Sequence, residues 1–296
     1  MIKRKIRRIK KYIPYLFNYI SKIKREKRII LTGANGFIGS RIFGLFSKKY
    51  FVVPFNREKI DIKNKNEINE LFEKVKPDYV IHSAALSNPE YCEKNKEKAY
   101  EANVVFTENL LEATKKQNAK FVFFSSALVF KPVKNLELER TEEEEPDAEC
   151  YYGQTKIKAE NEIKKYSEHL IIRIGWQYSE LNDVYANTNS MLHYVFNQIK
   201  NNQEIEINKN EYGNPTYVYD TLEFLLKNIE TKTGIYHYAN PTEMPLYKFF
   251  EYIIQKYSLK RELLKIKDLE IRNNRIKSEK IKINKDGIER LKEILK

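Results

Sequence analysis

The stretch "RIILTGANGFIGS", residues 28–40, decides the fold of this 296-residue chain. Its first five residues, with Ile29, Ile30 and Leu31 at their centre, are typical of a buried strand, and Gly33, Gly36 and Gly39 follow. One glycine permits a tight turn, a second lets the backbone approach a pyrophosphate, and the third allows a helix to pack closely on the strand. The stretch therefore predicts a strand, a phosphate-binding turn and the start of a helix.

Four further apolar runs follow, and each is predicted to be a strand: "FVVPF" (51–55), "YVIHSAA" (79–85), "FVFFSS" (121–126) and "LIIRIG" (170–175). Polar stretches with helical character separate them, at 64–75, 95–116 and 153–166. Alternation of strands and helices at this spacing predicts an α/β fold with a Rossmann-type doubly wound parallel sheet.

The sequence divides into three predicted parts. Residues 1–27 form a basic N-terminal extension, and residues 28–175 form the dinucleotide-binding domain. Residues 176–296 are mixed and charged, with helical patterns in "YVYDTLEFLLKNI" and "LYKFFEYIIQKY". This last part is predicted to be a smaller C-terminal substrate-binding lobe, with segments that return to the dinucleotide-binding domain.

The net charge of +13 is concentrated at one end of the chain. Residues 1–28 contain twelve lysines and arginines against the single acid Glu26, which leaves 42 basic and 40 acidic residues in the remainder. Since the predicted globular part has almost no basic excess to follow a phosphate backbone, nucleic-acid binding is disfavoured.

The extension also carries an apolar stripe among its basic residues. Six apolar side chains recur at helical spacing: Ile2, Ile6, Ile9, Ile13, Phe17 and Ile20. Such a basic amphipathic segment can lie on an anionic membrane surface, dock on a partner, or remain a solvated leader, and the sequence leaves these alternatives open.

The remaining bulk features favour a cytoplasmic protein, with the inner face of the membrane as an open location. Cys92 and Cys150 are too few for a disulfide framework, and nothing at the N-terminus resembles a cleavable signal peptide. No stretch approaches the roughly 18–20 apolar residues of a spanning helix. No metal site is predicted, and the sequence does not decide whether the chain forms a homodimer.

The residues after the second predicted strand indicate the preferred cofactor. An NAD-preferring enzyme would offer an acid there to the ribose hydroxyls, whereas this chain reads Phe55-Asn56-Arg57. Arg57 can pair with a 2′-phosphate, so NADP(H) is favoured over NAD. The predicted cofactor contacts are Gly33, Asn35, Gly36, Phe37, Ile38, Gly39, Arg57, Asp61, Ile62, Ala84 and Ala85, together with Tyr152 and Lys156; His82 is expected to be a packed core histidine.

A catalytic set is predicted from Ser126, Tyr152 and Lys156. Tyr152 and Lys156 are four residues apart, so on a helix they share one face. A free phenol is a reluctant proton donor, and the neighbouring ammonium is expected to lower its pKa. Ser126 would hydrogen-bond a substrate carbonyl. Tyr151 is a weaker candidate because the residue four positions on, Thr155, supplies no cation.

Several motifs together resemble the extended short-chain dehydrogenases/reductases, and within them the dTDP-4-dehydrorhamnose reductase group. The resemblance covers about residues 28–290 and rests on "TGANGFIG", "KPDYVIHSAA", "YCEKNKEKAYEANV", "SSALVF", "YYGQTK", "RIGWQYS", "YGNPT" and "GIYHYAN". It implies an NADP-dependent reductase that acts on a 4-keto nucleotide-linked deoxysugar in the synthesis of surface polysaccharide or glycan precursors. The substrate contacts expected on this basis are Ser87, Ser126, Trp176 and Pro215.

Departures from that group keep other reactions open. The group typically has Thr-Asp-Tyr where this chain reads Ser126-Ala127-Leu128, which is closer to the Ser-Ala-Thr of sugar 4-epimerases holding NAD. A fucose-synthase-like enzyme would need a cysteine near the serine, and only Cys92 or Cys150 could supply it. A 4,6-dehydratase is disfavoured because its acid is absent. A non-catalytic cofactor-binding regulatory subunit is the alternative of another class.

Overall fold

The computed structural model describes residues 26–184 and 190–295. Along the chain the strands are β1 (Arg28–Thr32), β2 (Phe51–Pro54), β3 (Tyr79–His82), β4 (Lys120–Ser126), β5 (His169–Ile174), β6 (Trp176–Tyr178), β7 (Ile205–Asn208), β8 (Glu211–Tyr212), β9 (Pro215–Tyr217), β10 (Gly234–Tyr238), β11 (Leu264–Lys267) and β12 (Arg272–Asn273). The helices are α1 (Phe37–Phe46), α2 (Lys65–Val75), α3 (Pro89–Lys94), α4 (Lys96–Tyr100), α5 (Phe106–Lys116), α6 (Tyr151–Ile163), α7 (Met191–Lys200), α8 (Val218–Asn228), α9 (Leu246–Lys256) and α10 (Gly287–Ile294).

Six of these strands form one parallel sheet in the order β10-β5-β4-β3-β1-β2. Because the strands are parallel, their carboxyl ends meet at one edge, and the functional motifs lie there. The predicted Rossmann-type α/β fold is confirmed.

The sheet is covered on both faces because its strands alternate between two apolar cores. Ile29 and Leu31 of β1 face the core that α1 and α8 complete, whereas Ile30 faces the core completed by α2, α5 and α6. All three side chains are fully buried. Each contributes about 1.5–3 kcal/mol relative to an exposed side chain, so β1 is a rigid support for the turn that follows it.

A third apolar cluster lies outside the two cores of the main sheet and is built from α7, α9, α10 and short strands of residues 176–295. Three pairs of short parallel strands, β6 with β9, β7 with β11 and β8 with β12, lie outside the main sheet. Within the described residues, no helix combines the length and apolar character required to cross a bilayer.

Most predicted strand boundaries agree with the structure to within one residue, and three elements differ in other ways. The strand predicted over 79–85 ends at His82, because residues 83–88 leave the sheet as a loop. The helix predicted over 95–116 is interrupted by a π-helical turn at Glu101–Val105. The helix predicted over 153–166 begins at Tyr151 and ends at Ile163.

Candidate active site

The glycine turn after β1 is shaped for close approach. Gly33 has φ of +69°, and a Cβ there would lie 2.7 Å from the Ala84 backbone nitrogen. A Cβ on Gly39 would lie 2.0 Å from the Gly33 oxygen, so only glycine allows α1 to pack this tightly on the turn. Gly36 caps α1 without a side-chain hydrogen bond, which leaves amide donors of the first turn available to an anion. These residues therefore fit a dinucleotide pyrophosphate.

His82 ties β3 to β1 beneath this turn. Thr107 donates its hydroxyl to the Asn103 oxygen at 2.7 Å, and it therefore accepts from His82 Nε2 at 2.9 Å. The other ring nitrogen, Nδ1, then accepts from the Thr32 hydroxyl at 2.6 Å. Burial, aided by the Lys156 charge, lowers the pKa of His82 well below its usual value. His82 is thus a neutral, fully bonded core residue.

The region predicted to bind the adenosine end of the cofactor is an open groove beyond β2. Arg57 is exposed on its wall, which continues through Asp61 and Ile62 to Glu67. The backbone oxygen of Ile62 accepts from Asn109 Nδ2 at 2.9 Å, and Asp61 Oδ1 accepts from the Lys63 amide at 2.9 Å. The groove wall is therefore fixed from α5, while the Arg57 guanidinium faces solvent.

Ser126, Tyr152 and Lys156 lie together where β4 and α6 meet. Lys156 Nζ lies 5.9 Å from the centre of the Tyr152 ring and donates to the Phe124 oxygen at 3.0 Å. Ser126 ends β4, and its Oγ accepts from the Leu128 amide at 3.1 Å. Tyr152 and Lys156 are buried, and Ser126 is partly exposed. Tyr151, the weaker candidate, lies beside Lys96, whose Nζ is 5.3 Å from its ring centre.

Burial shifts the two titratable members of this set in a way that the sequence did not predict. It raises the pKa of the Tyr152 phenol, although a hydrogen bond with Ser126 acts in the opposite direction. It lowers the pKa of Lys156 to about 7, with Glu160 opposing the shift. The expectation that the Lys156 ammonium lowers the pKa of Tyr152 is not met in this structure, since desolvation dominates both groups.

Two features that sequence reasoning missed hold α6 in place. A Cβ on Gly153 would lie 2.0 Å from the Leu128 oxygen, so glycine lets α6 approach the turn that follows Ser126. Glu160 accepts from Arg173 of β5 at 2.7 Å, and both side chains are almost fully buried. The glycine directly after Tyr152 could have indicated this close approach from the sequence. Nothing in the sequence indicated the Glu160–Arg173 ion pair.

Asn103 in the π-helical turn is a third missed residue. Its Oδ1 accepts from the Leu86 amide at 2.8 Å, and its Nδ2 donates at 3.0 Å both to the Leu86 oxygen and to Thr155 Oγ1. It therefore joins the loop after β3 to the helix that carries Tyr152. Such turns often occur at functional sites.

The expected substrate contacts occupy neighbouring positions near the same edge. Ser126 pairs in register with Ile174, and Trp176 follows two residues later, opposite Pro215 in the β6–β9 pair. Trp176 and Pro215 line a small apolar hollow together with side chains of α7 and α9. Ser87 is exposed in the loop before α3.

Both cysteines pack in the cluster that contains Tyr152. Cys92 donates its thiol to the Leu86 oxygen at 3.3 Å, and burial raises its pKa. Cys150 caps α6, where its sulfur accepts from the Gly153 amide at 3.5 Å. The two thiols therefore approach Tyr152 in space, with each bonded to backbone.

Comparison with known proteins identifies the family. Residues 27–282 match the family model described as the RmlD substrate binding domain. The chain is 26% identical over 232 residues to dTDP-4-dehydrorhamnose reductase from Aggregatibacter actinomycetemcomitans, covering 75% of this chain and 76% of that protein. It is 25% identical to methionine adenosyltransferase 2 subunit beta from Xenopus laevis, covering 75% and 70% respectively. The structure of a dTDP-4-dehydrorhamnose reductase from Bacillus anthracis in complex with NADP superposes with a TM-score of 0.74 at 26% identity, covering 82% of this chain and 84% of that one. The chain therefore belongs to the RmlD substrate binding domain family.

Proposed function

We propose that this protein reduces the 4-keto group of a nucleotide-linked deoxysugar with NADPH, in the synthesis of a polysaccharide or glycan precursor. It is an NAD(P)-dependent oxidoreductase of the type represented by dTDP-4-dehydrorhamnose reductase. The observation that carries the proposal is the meeting of Ser126, Tyr152 and Lys156 at the same sheet edge as the glycine turn. Trp176 and Pro215, beside that edge, support a sugar substrate.

The residues of the chain divide the chemistry between them. NADPH held at the glycine turn would supply the hydride that the carbonyl carbon accepts. Tyr152 donates the phenolic proton to the carbonyl oxygen. Its raised pKa keeps the phenol protonated before the reaction but also makes it a weaker acid, so the transfer depends on a cation that stabilises the phenolate. Ser126 orients the same oxygen by a hydrogen bond. In its protonated form, Lys156 would stabilise the Tyr152 phenolate that remains after the transfer, since its Nζ lies 5.9 Å from the ring centre, and solvent then returns a proton to the phenolate.

The central test is Tyr152→Phe, with Tyr151→Phe as its matched control. NADPH oxidation is followed spectrophotometrically with a panel of 4-keto nucleotide sugars, and NADH is run in parallel. Loss of the proton donor is expected to lower kcat by about 10²–10⁴-fold and to leave the Kd for NADPH within about twofold. Tyr151→Phe should retain normal turnover. Full activity in Tyr152→Phe, or no oxidation with any substrate by the wild type, would contradict the proposal.

A nucleotide-sugar 4-epimerase is the second candidate, because Ser126-Ala127-Leu128 departs from the reductase pattern. An epimerase returns the hydride to the same carbon, so it would interconvert sugars without consuming NADPH. The third, a non-catalytic subunit, has a relative in methionine adenosyltransferase 2 subunit beta. For that alternative, cofactor binding without any turnover is the distinguishing result.

The N-terminal extension is proposed to hold the enzyme at the inner face of the membrane. Residues 1–25 lie outside the described residues, so their basic amphipathic pattern is the support. A cytoplasmic location remains part of the proposal. The sequence leaves open whether the chain forms a homodimer, and sedimentation analysis measures the oligomeric state.

A further inference from the structure

Arg41 is a fully buried arginine on the helix that follows the glycine turn. A guanidinium without water is strongly destabilising unless its donors are satisfied, so its partners define what it positions. Its Nη1 donates to the Phe37 oxygen at 2.6 Å, and its carbon centre lies 3.9 Å from the Phe37 ring centre. Phe37 is the first residue of α1, so the guanidinium lies against the turn whose amides face the predicted pyrophosphate.

The other donors of Arg41 reach a distant part of the chain. Nη2 donates to Ser179 Oγ at 2.8 Å, and Nε donates to Asp183 Oδ2 at 2.7 Å. Ser179 is fully buried, and the Asp183 side chain is 1% exposed. Residues 179–183 directly follow the strand that begins at Trp176.

Asp183 is fixed from a second element as well. Its Oδ1 accepts from the Tyr219 hydroxyl of α8 at 2.6 Å. Glu180, within the same segment, accepts from the Tyr217 hydroxyl. The first turn of α7 is also close, since the Arg41 charge contributes to lowering the pKa of His193. Elements on both sides of residues 179–183 therefore hold this segment against α1.

We infer that Arg41 and Asp183 are positioning residues for the dinucleotide: their buried ion pair holds residues 179–183 beside the first turn of α1, so that the substrate lobe contributes to the shape of the pyrophosphate site. The inference depends on the proposed NADP(H) function. The substrate lobe would then take part in cofactor binding, through the contact between the segment after Trp176 and α1. Breaking the pair is expected to weaken the binding of ligands that contain the pyrophosphate and to leave the binding of ligands without it unchanged.

The test compares Asp183→Asn with Asp220→Asn. Asp220 forms an ion pair of similar length with Arg290, at 2.8 Å, between α8 and α10; this pair is more exposed than Arg41–Asp183, and both substitutions replace a paired carboxylate by an amide. Isothermal titration calorimetry measures the Kd for NADPH and for adenosine 2′-phosphate, which has the adenine and the 2′-phosphate but no pyrophosphate. For Asp183→Asn we expect an increase of about tenfold in the NADPH Kd and less than a twofold change for adenosine 2′-phosphate. Asp220→Asn should change neither value.

Tyr219→Phe provides a milder second variant, because it removes one partner of Asp183 and leaves no buried charge unpaired. It should raise the NADPH Kd about threefold with adenosine 2′-phosphate unaffected, and this measurement decides the matter if Asp183→Asn does not fold. The inference would be overturned if the folded variants had an unchanged Kd for NADPH. It would also be overturned if the Kd values for NADPH and adenosine 2′-phosphate rose by the same factor. Failure of the wild type to bind NADPH would instead reject the proposed function.

Discussion

Burial affects Tyr152 and Lys156 in opposite directions, although the two side chains lie one helical turn apart. Each shift favours the neutral form, so the phenol keeps its proton and the amine loses one near neutral pH. The proposed reductase would need a protonated donor at the start of its reaction, and the raised pKa of Tyr152 is consistent with that starting state. The sequence predicted the pair but not this effect, because spacing does not reveal desolvation.

The depressed pKa of Lys156 makes stability depend on pH. Its pKa is about 7 in the folded chain and about 10.5 when unfolded, so between these values the unfolded chain binds more protons. Stability of the cofactor-free protein should therefore rise as the pH increases from about 7 to about 10. Lys156→Met should remove this part of the slope, measured as the thermal midpoint against pH.

Lys158→Met is the control for that measurement, because Lys158 is exposed on the same helix. It should leave the pH slope unchanged. A slope in Lys156→Met equal to that of the wild type would show that Lys156 does not titrate in this range.

A single side chain, the guanidinium of Arg57, is proposed to select the 2′-phosphate of NADPH. Arg57→Asp should raise the Kd for NADPH by about 10–100-fold and reverse the preference towards NADH, because a charge-assisted bond becomes a repulsion. Fluorescence titration with both nucleotides measures the ratio. Lys48→Asp makes the same change of net charge just after the C-terminal end of α1, away from the glycine turn. It should leave the ratio of the Kd values for NADPH and NADH unaltered.

The elements around the glycine turn have little room for substitution. Gly39→Ala would place a Cβ 2.0 Å from the Gly33 oxygen, so α1 must move away from the turn. We expect the free energy of unfolding to fall by about 1–3 kcal/mol and NADPH binding to be lost. Thermal unfolding and fluorescence titration measure the two effects.

Gly213→Ala is the comparison for this change, because the nearest atoms to its Cβ belong to the Leu246 side chain at 3.5 Å. It should bind NADPH normally. Normal NADPH binding by Gly39→Ala would show that the turn is not part of the cofactor site.

The periodicity of apolar residues in the sequence predicted most strands of the sheet. It did not predict the local change in helical geometry or the long-range ion pair that position the helices around it. The "RIILT" strand was predicted with its observed limits, because Ile29, Ile30 and Leu31 form an apolar run and a glycine follows Thr32. The π-helical turn around Asn103 was missed, since a one-residue change in helical period leaves no hydrophobic signal. Arg41 would be read from sequence as a solvent-facing charge, yet Asp183, 142 residues away, keeps it buried.

At the scale of the whole molecule, the amino end of β1, to which the N-terminal extension is joined, and the candidate active site lie at opposite edges of the sheet. The extension joins β1 at its amino end, whereas Gly33, Ser126 and the loop after β3 lie at the carboxyl ends. If the extension holds the protein at a membrane, as proposed, its point of attachment does not lie at the edge that carries the candidate active site.

Removal of residues 1–25 tests this separation. The shortened protein should keep its NADPH turnover within about twofold and lose binding to vesicles containing phosphatidylglycerol, since its basic excess is gone. Co-sedimentation with vesicles measures the binding, and phosphatidylcholine vesicles serve as the control. If the full chain does not bind the anionic vesicles, the membrane proposal is rejected.

The late position of β10 in the sequence affects how the main sheet is completed during synthesis. β10 pairs with β5 from Gly234↔Leu170 to Tyr238↔Ile174, so the outer edge of β5 has no neighbour until residues 234–238 leave the ribosome. Synthesis proceeds at about 5–20 residues per second, and the dinucleotide-binding part waits several seconds with an apolar strand exposed at its margin. An open strand edge is a template for pairing with other chains. A nascent chain that stalls before Gly234 is therefore prone to aggregate, and chaperones would have to protect that edge until translation has passed it.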